Sequence, residues 1–231
     1  MRTIGLIGGM SWESSAEYYR LINQETKRRL GGHHNAASLM VTVDFAEIER
    51  LQHSGQWERL GDLLAFAAQQ LERGGADFVV LCTNTMHKVA DCITAAIGIP
   101  LLHIADATAQ AISEAGQRRV GLLGTKFTME QPFYADRMRE RFGIETATPA
   151  PAERQFVHDV IYGELCHGVI RPESRTGFRQ IIDGLAREGA EAVILGCTEI
   201  GLLISAADSS LPVYDSTAIH ARAAVDYALS E

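Results

Sequence analysis

An internal duplication constrains the fold of this chain more than any other feature of its 231 residues. Residues 71–85 read LERGGADFVVLCTNT, and residues 185–199 read LAREGAEAVILGCTE. At a constant offset of 114 residues, Leu, Arg, Gly, Ala, an acid, Val and Leu coincide, and Thr83 falls opposite Cys197. A repeat of this length predicts two similar domains rather than a solenoid. Two such half-sites, placed face to face, can present one group to each side of a single carbon, which is the geometry for moving a proton between faces.

Short apolar runs alternate with longer stretches of helical periodicity in both halves of the chain. Ile4–Ile7 is a predicted strand that ends at two glycines, and Ser14–Leu30 is the predicted helix after it. The order then restarts, because RVGLLGT at 119–125 echoes TIGLIGG at 3–9. LPVYDST at 211–217 likewise echoes the segment that begins at Ile99. Alternating strands and helices are typical of mostly parallel sheets flanked by helices. We therefore predict an α/β fold with two pseudo-symmetric domains.

Small and polar residues follow several predicted strands. They are Gly8-Gly9, Thr83–Thr85, Thr125 and Cys197–Glu199. In open α/β sheets, ligands bind beyond the carboxyl ends of the strands, so these residues should gather at one edge of each sheet. Two such edges facing each other predict an active site in an interdomain cleft, a frequent location for small-molecule sites.

The composition excludes several classes of protein. The net charge is −8 and no basic stripe is visible, so we expect no nucleic-acid partner. The chain has no apolar run of membrane-spanning length, and its first residues do not resemble a signal peptide, so we expect a cytoplasmic protein without a membrane partner. The cysteines show no C-x-x-C or zinc spacing, so we predict reduced thiols and no metal. They are Cys82, Cys92, Cys166 and Cys197.

Cys197 is the strongest candidate for chemistry. It follows a predicted buried strand at a strand-to-helix turn, where backbone N–H groups and a helix N-terminus lower a thiol pKa and favour the thiolate. The alternative is an inert buried cysteine. Thr83 alone is an ordinary turn residue, and its candidacy depends on its register with Cys197. Asn84, Thr85, Thr198 and Glu199 offer donors and acceptors to a carboxylate, or else cap the helices that follow.

Two common cofactors find no support in the sequence. The glycines at 5, 8 and 9 are spaced G-x-x-G-G rather than G-x-G-x-x-G, which is a poor match to a dinucleotide loop. A pyridoxal phosphate enzyme needs a Schiff-base lysine, and Lys27, Lys88 and Lys126 lie in no supporting motif. The histidines show no H-E-x-x-H or comparable ligand spacing, which favours surface or supporting roles.

Three stretches together carry a family resemblance. They are GGMSWES at 8–14 with YYRLIN at 18–23, CTNTMH at 82–87, and GCTEI at 196–200. The chain resembles the aspartate/glutamate racemase family over essentially its whole length. It is most similar to enterobacterial members in which one of two catalytic cysteines is replaced by threonine. The resemblance implies a cofactor-independent, two-base proton transfer at Cα of an acidic amino acid.

Matched residue by residue, the resemblance implies that Cys197 and Thr83 form the catalytic pair. A threonine hydroxyl is a far weaker acid than a thiol, so we expect Cys197 to be the base and Thr83 the opposite-face donor. The resemblance also implies L-enantiomers as the favoured substrates, a homodimer, and a C-terminal segment that returns to the first domain. The domains are then 1–100 with 211–231, and 101–210. The positions that the resemblance assigns to substrate contact are Met10, Gln52, Asn84, Thr85, Thr125, His167, Thr198 and Glu199.

Two alternatives stay open at this point. One is a one-cysteine decarboxylase or isomerase of dicarboxylates from the same superfamily. The other is a protein that binds acidic amino acids without catalysis, having lost one acid–base group. The pattern does not separate aspartate from glutamate as the preferred substrate.

Overall fold

The computed structural model describes residues 1–230, which form two compact units. The first unit comprises Met1–Ile104 and the segment that begins at His220, and the second comprises Ala105–Ile219. Each unit contains one four-stranded parallel sheet.

The first sheet has the strand order β2-β1-β3-β4. Its strands are β1 (Ile4–Gly8), β2 (Ser38–Thr42), β3 (Phe78–Leu81) and β4 (Leu101–Leu102). The helices between them are α1 (Trp12–Leu30), α2 (Phe45–His53), α3 (Trp57–Arg73) and α4 (Ala90–Ala96), with a 3₁₀ segment at Thr85–Val89.

The second sheet repeats this arrangement with the order β6-β5-β7-β8. Its strands are β5 (Arg119–Gly124), β6 (Glu145–Ala147), β7 (Ala192–Gly196) and β8 (Val213–Asp215). The remaining helices are α5 (Ile104–Glu114), α6 (Lys126–Glu130), α7 (Pro132–Phe142), α8 (Pro151–Gly163), α9 (Pro172–Arg187), α10 (Ile200–Leu203) and α11 (Ser216–Leu229), with 3₁₀ segments at Leu165–His167 and Ala206–Asp208. The matching strand orders confirm the predicted pseudo-symmetric α/β fold.

The repeated sequence corresponds to the same helix-to-strand turn in both units. After α3, Ala76 N donates to Leu71 O at 3.0 Å, and after α9, Ala190 N donates to Leu185 O at 3.0 Å. This six-to-one hydrogen bond closes a helix C-terminus when a left-handed residue precedes the donor. Here that residue is Gly75 in the first unit, with φ of 93°, and Gly189 in the second, with φ of 90°. Glycine adopts this conformation without a Cβ clash, which explains its place in the repeat.

The repeated acid joins neighbouring strands at their amino ends. Asp77 Oδ2 accepts a hydrogen bond from Thr3 N at 2.5 Å, just before β1. Glu191 Oε2 accepts one from Arg118 N at 2.6 Å and another from Arg119 N at 3.1 Å. These hydrogen bonds lower the pKa of Glu191. Each acid therefore holds the amino ends of the two central strands of its sheet together.

The first sheet is covered on both faces, as a parallel sheet requires. Alternate residues of β3 separate into two apolar clusters: Val79 and Leu81 pack with α3 and α4, whereas Phe78 and Val80 pack with α1 and α11. The period of two follows from strand geometry. Burial on both faces explains why the repeated strands read as continuous apolar runs.

The unit boundaries differ from the predicted domains 1–100 with 211–231 and 101–210. Leu101–Leu102 belongs to the first sheet, where β4 pairs with β3 and Val79 N donates to Pro100 O at 2.8 Å. Val213–Asp215 belongs to the second sheet, where β8 pairs with β7 and Val193 N donates to Pro212 O at 2.9 Å. Strand pairing therefore moves both boundaries toward the C-terminus, and the chain rejoins the first unit at His220.

No helix in the described part of the chain has the length and apolar composition of a membrane-spanning segment. Residues 1–230 also contain no group of three or more His, Cys, Asp or Glu side chains arranged to hold a metal ion.

Candidate active site

The two repeated turns lie at equivalent positions, each after the third strand of its sheet in chain order. Thr83, Asn84 and Thr85 follow β3 in the first unit, and Cys197, Thr198 and Glu199 follow β7 in the second. Five of these six side chains are buried, and Thr198 is half-buried. The structure therefore places each predicted group at the carboxyl end of a central strand.

The Cys197 thiol is hydrogen-bonded to a carboxylate. Cys197 Sγ donates to Glu199 Oε2 at 2.9 Å, and Thr198 Oγ1 donates to the same oxygen at 2.7 Å. Burial raises the pKa of Cys197 well above its usual value, and the negative charge of Glu199 raises it further. A hydrogen bond from the Glu199 backbone opposes this rise but does not overcome it.

The expectation of a lowered thiol pKa was therefore wrong. It relied on a helix N-terminus near the sulfur, but α10 is only four residues long. Cys197 is 9% exposed and packs in the apolar cluster around β7 and α9. Desolvation disfavours the thiolate there, so Cys197 rests as a thiol whose proton points at Glu199.

This pair has a direct chemical use. If the buried thiol lost its proton to solvent, the thiolate would be an additional charge in an apolar site, which is costly. Passing the proton from Cys197 Sγ to Glu199 instead moves one existing negative charge across 2.9 Å. The number of charges in the site does not change, so Glu199 can serve as the base that activates Cys197.

Thr83 has different surroundings. Its backbone N donates to Leu81 O at 2.8 Å and its carbonyl lies 2.8 Å from His87 Nδ1, but its hydroxyl forms no hydrogen bond to any residue from 1 to 230. The residue opposite Glu199 at the repeat offset is Thr85, so the carboxylate of the second turn has no counterpart here. A hydroxyl without an adjacent base is not activated as a proton acceptor, although it can still donate.

Two further candidates in the first unit, Met10 and Gln52, pack near the residue that follows the Thr83–Thr85 turn. Met10 lies two residues after β1 and is buried in the apolar cluster that contains Met86. Gln52, on α2, donates from Nε2 to Met86 Sδ at 3.0 Å, one residue beyond Thr85. No local motif surrounds Gln52, so only tertiary packing links it to the turn. His87 was noted in sequence only as the end of the CTNTMH motif, and its contact with the Thr83 carbonyl was not expected.

The two remaining candidates in the second unit, Thr125 and His167, differ in their surroundings. Thr125 follows β5, and because Gly124 pairs with Gly196, Thr125 is adjacent in register to Cys197. Its Oγ1 also accepts from Thr128 N at 3.3 Å, so Thr125 caps α6. His167 ends a 3₁₀ segment with an exposed side chain that makes no hydrogen bond or ion pair with a described residue. A substrate contact by His167 stays a prediction.

Comparison with known proteins places this geometry in context. The family model described as Asp/Glu/hydantoin racemase matches residues 7–224. The crystal structure of an Asp/Glu racemase candidate from Yersinia pestis is 54% identical, with a TM-score of 0.94 and full coverage of both chains. An aspartate racemase homologue from Pyrococcus horikoshii OT3 is 34% identical, with a TM-score of 0.87 and full coverage of both. A broad specificity amino-acid racemase from Bacillus subtilis (strain 168) is 24% identical over 165 residues, which cover 68% of this chain and 67% of that protein.

Proposed function

Because the chain belongs to the Asp/Glu/hydantoin racemase family, we propose that it is a cofactor-independent racemase of aspartate and glutamate. Cys197 removes the α-proton from one face of Cα, and Thr83 returns a proton to the opposite face. The observation that carries the proposal is the Cys197–Glu199 hydrogen bond, which gives one half-site a thiol with its own proton acceptor.

The first step needs the thiolate of Cys197. The thiol proton passes to Glu199, and the substrate ammonium stabilises the negative charge that moves to sulfur. The thiolate then takes the α-proton, and the electron pair left on Cα delocalises into the substrate carboxylate. At this stage Cys197 is a thiol again, Glu199 carries the transferred proton, and the substrate is a carbanion.

The second step needs only a donor. The Thr83 hydroxyl gives its proton to the carbanion, which is a far stronger base than an alkoxide in this setting. The alkoxide then takes a proton from water, and the hydroxide left behind takes the proton held by Glu199, which restores the starting state. In the reverse reaction Thr83 must accept the α-proton of the opposite enantiomer, and it has no base beside it. The enzyme is therefore asymmetric, and the enantiomer whose α-proton faces Cys197 is the better substrate. The resemblance to the threonine-bearing members of the family supports the L-form as that enantiomer.

The remaining candidate residues supply binding groups in this proposal. Glu199 faces the substrate ammonium, while hydroxyl, amide, imidazole and thioether groups contact the carboxylates and carbon chain of the substrate. These groups belong to Met10, Gln52, Asn84, Thr85, Thr125, His167 and Thr198. The proposal also includes a homodimer, as in the family it resembles. It assigns the protein to the cytoplasm, which is consistent with four free cysteines among the described residues.

Incubation with L-aspartate and L-glutamate in deuterium oxide tests the function. We expect D-enantiomers that carry α-deuterium, measured by chiral chromatography and proton NMR. Cys197→Ala should abolish both products, whereas Cys92→Ala, which removes an exposed thiol on α4, should retain them. Retained exchange in Cys197→Ala would contradict the mechanism. Release of carbon dioxide would indicate the decarboxylase, and binding without exchange would indicate the non-catalytic binder.

A further inference from the structure

His87 connects the Thr83 turn to a second backbone segment. Its Nδ1 lies 2.8 Å from Thr83 O, and Ile104 N donates to its Nε2 at 3.2 Å. A backbone N–H can only donate, so Nε2 carries no proton and the neutral ring holds its proton on Nδ1. Nδ1–H therefore donates to the Thr83 carbonyl, and both ring nitrogens are used.

The two segments follow adjacent strands of one sheet. Thr83 lies beyond β3, Ile104 lies beyond β4, and β3 and β4 pair with each other. The ring is 3% exposed and packs against His103 with ring centroids 4.4 Å apart. His87 therefore fixes the height of the Thr83 turn above the sheet edge. A β-branched side chain has few χ1 rotamers, so fixing the Thr83 backbone also restricts where its hydroxyl points.

The second unit has no equivalent of this contact. At the repeat offset, His87 corresponds to Gly201, which has no side chain, and Thr85 corresponds to Glu199. The thiol half-site is supported by a carboxylate that contacts the reacting sulfur. The hydroxyl half-site is supported by an imidazole whose nitrogens bond to the backbone at Thr83 and Ile104. The two half-sites therefore differ in the residues behind them as well as in Thr83 and Cys197.

We propose that His87 is a positioning residue for Thr83. It holds the turn so that the hydroxyl is aimed at Cα, and it exchanges no proton with the substrate. This inference rests on the proposed function, because it assigns His87 to the reprotonation step that uses Thr83 and not to the abstraction step that uses Cys197.

A substrate that needs only abstraction separates the two steps. In 3-chloro-L-aspartate, removal of the α-proton by Cys197 lets the Cβ–Cl bond break, and chloride leaves with its electron pair. The resulting enamine hydrolyses in solution to oxaloacetate and ammonium. Elimination therefore reports on Cys197, whereas formation of D-aspartate from L-aspartate reports on both Cys197 and Thr83. Thr83→Ala provides the reference for loss of the second step alone.

Two isosteric variants isolate the hydrogen bond. His87→Asn keeps a donor at the place of Nδ1, and His87→Gln keeps an acceptor at the reach of Nε2 but loses the donor. Since small displacements of a reacting group cost up to about 100-fold in rate, we expect His87→Gln to slow D-aspartate formation by roughly 10- to 100-fold. Elimination should keep its rate, KM should change little, and His87→Asn should recover most of the D-aspartate rate.

His220→Gln is the matched control, because His220 is a buried histidine of the same unit that bonds Tyr18 and Leu102 O instead of Thr83. His220 meets the His87 ring only edge-on, with ring centroids 5.9 Å apart, and forms neither hydrogen bond that holds the Thr83 turn. The ratio of racemisation to elimination in His220→Gln should equal that of the wild type. Equal loss of both reactions in His87→Gln, or loss of neither, overturns the inference. In wild-type protein, nitrogen-15 NMR should show the His87 proton on Nδ1, and a proton on Nε2 also overturns it. Wild-type protein that forms no D-aspartate would instead refute the proposed function.

Discussion

Acidification should destabilise the first unit through one buried histidine. His220 is fully buried, its Nε2 lies 2.9 Å from Leu102 O, and its Nδ1 lies 2.8 Å from Tyr18 Oη. The carbonyl can only accept, so Nε2–H donates to it and the Tyr18 hydroxyl donates to Nδ1. A second proton on Nδ1 would require the Tyr18 hydroxyl to change from donor to acceptor. Burial lowers the pKa of His220 from 6.5 to about 4.

The sign and size of the effect follow from linkage. Above pH 6.5 the ring is neutral in both the folded and unfolded states, so it contributes no pH dependence. Below pH 6.5 His220 binds a proton in the unfolded chain, whereas in the folded chain it stays neutral down to about pH 4. The free energy of unfolding therefore falls as pH falls through this window. Each pH unit within this window removes about 1.4 kcal/mol, so acidification to pH 5 costs roughly 2 kcal/mol from this residue.

Urea unfolding followed by tryptophan fluorescence measures this loss. Both tryptophans, Trp12 and Trp57, lie in the first unit, so the signal reports on the unit that contains His220. His220→Gln should reduce the difference in unfolding free energy between pH 7.5 and pH 5 by about 2 kcal/mol. His33→Gln removes an exposed histidine of the same unit and should leave the difference unchanged. An unchanged pH dependence in His220→Gln would refute the reasoning.

Three further predictions concern the half-sites and the repeat. Thr83→Cys supplies an ionisable group on the weak side, so initial rates with D-aspartate and D-glutamate should rise, and unchanged rates would count against paired half-sites. Glu199→Gln removes the proton acceptor and should lower kcat by about 100-fold or more. The same variant lowers the pKa of Cys197, so iodoacetamide should alkylate the thiol faster at a given pH, and slower alkylation would contradict the assigned charge effect. Gly75→Ala and Gly189→Ala each force a side chain into left-handed backbone and should each cost about 1–2 kcal/mol in urea unfolding, whereas a neutral result would refute the turn assignment.

Local patterns predicted much of the fold. The apolar runs at β3 and β7, the glycine-terminated helices before them and the polar turns after them are visible in sequence. The helix α11 is harder to recognise from sequence, because its buried residues include Ala221, Ala224 and Ala228, whose small side chains give a weak apolar periodicity. The segment after β3 begins as a 3₁₀ helix at Thr85–Val89 before α4, a change of helix type that apolar periodicity does not reveal.

The candidate site was predictable as a set of positions. The offset of 114 residues placed Thr83 opposite Cys197, and strand-end chemistry pointed to the residues beside them. The structure confirms that both turns end central parallel strands. Gln52 and His87 show the limit of this reasoning, because their partners Met86 and Ile104 become neighbours only after the chain folds.

The sequence by itself determined the duplication, the alternation of strands and helices, and the asymmetry between a hydroxyl and a thiol. These depend on side-chain period and residue type, which are local properties of the chain. Tertiary structure decided that Cys197 rests as a thiol against Glu199, that β8 stays with the second sheet, and that one histidine proton holds the Thr83 turn. Desolvation, strand pairing and tautomer choice are set by atoms distant in sequence, so they exist only once the core has formed.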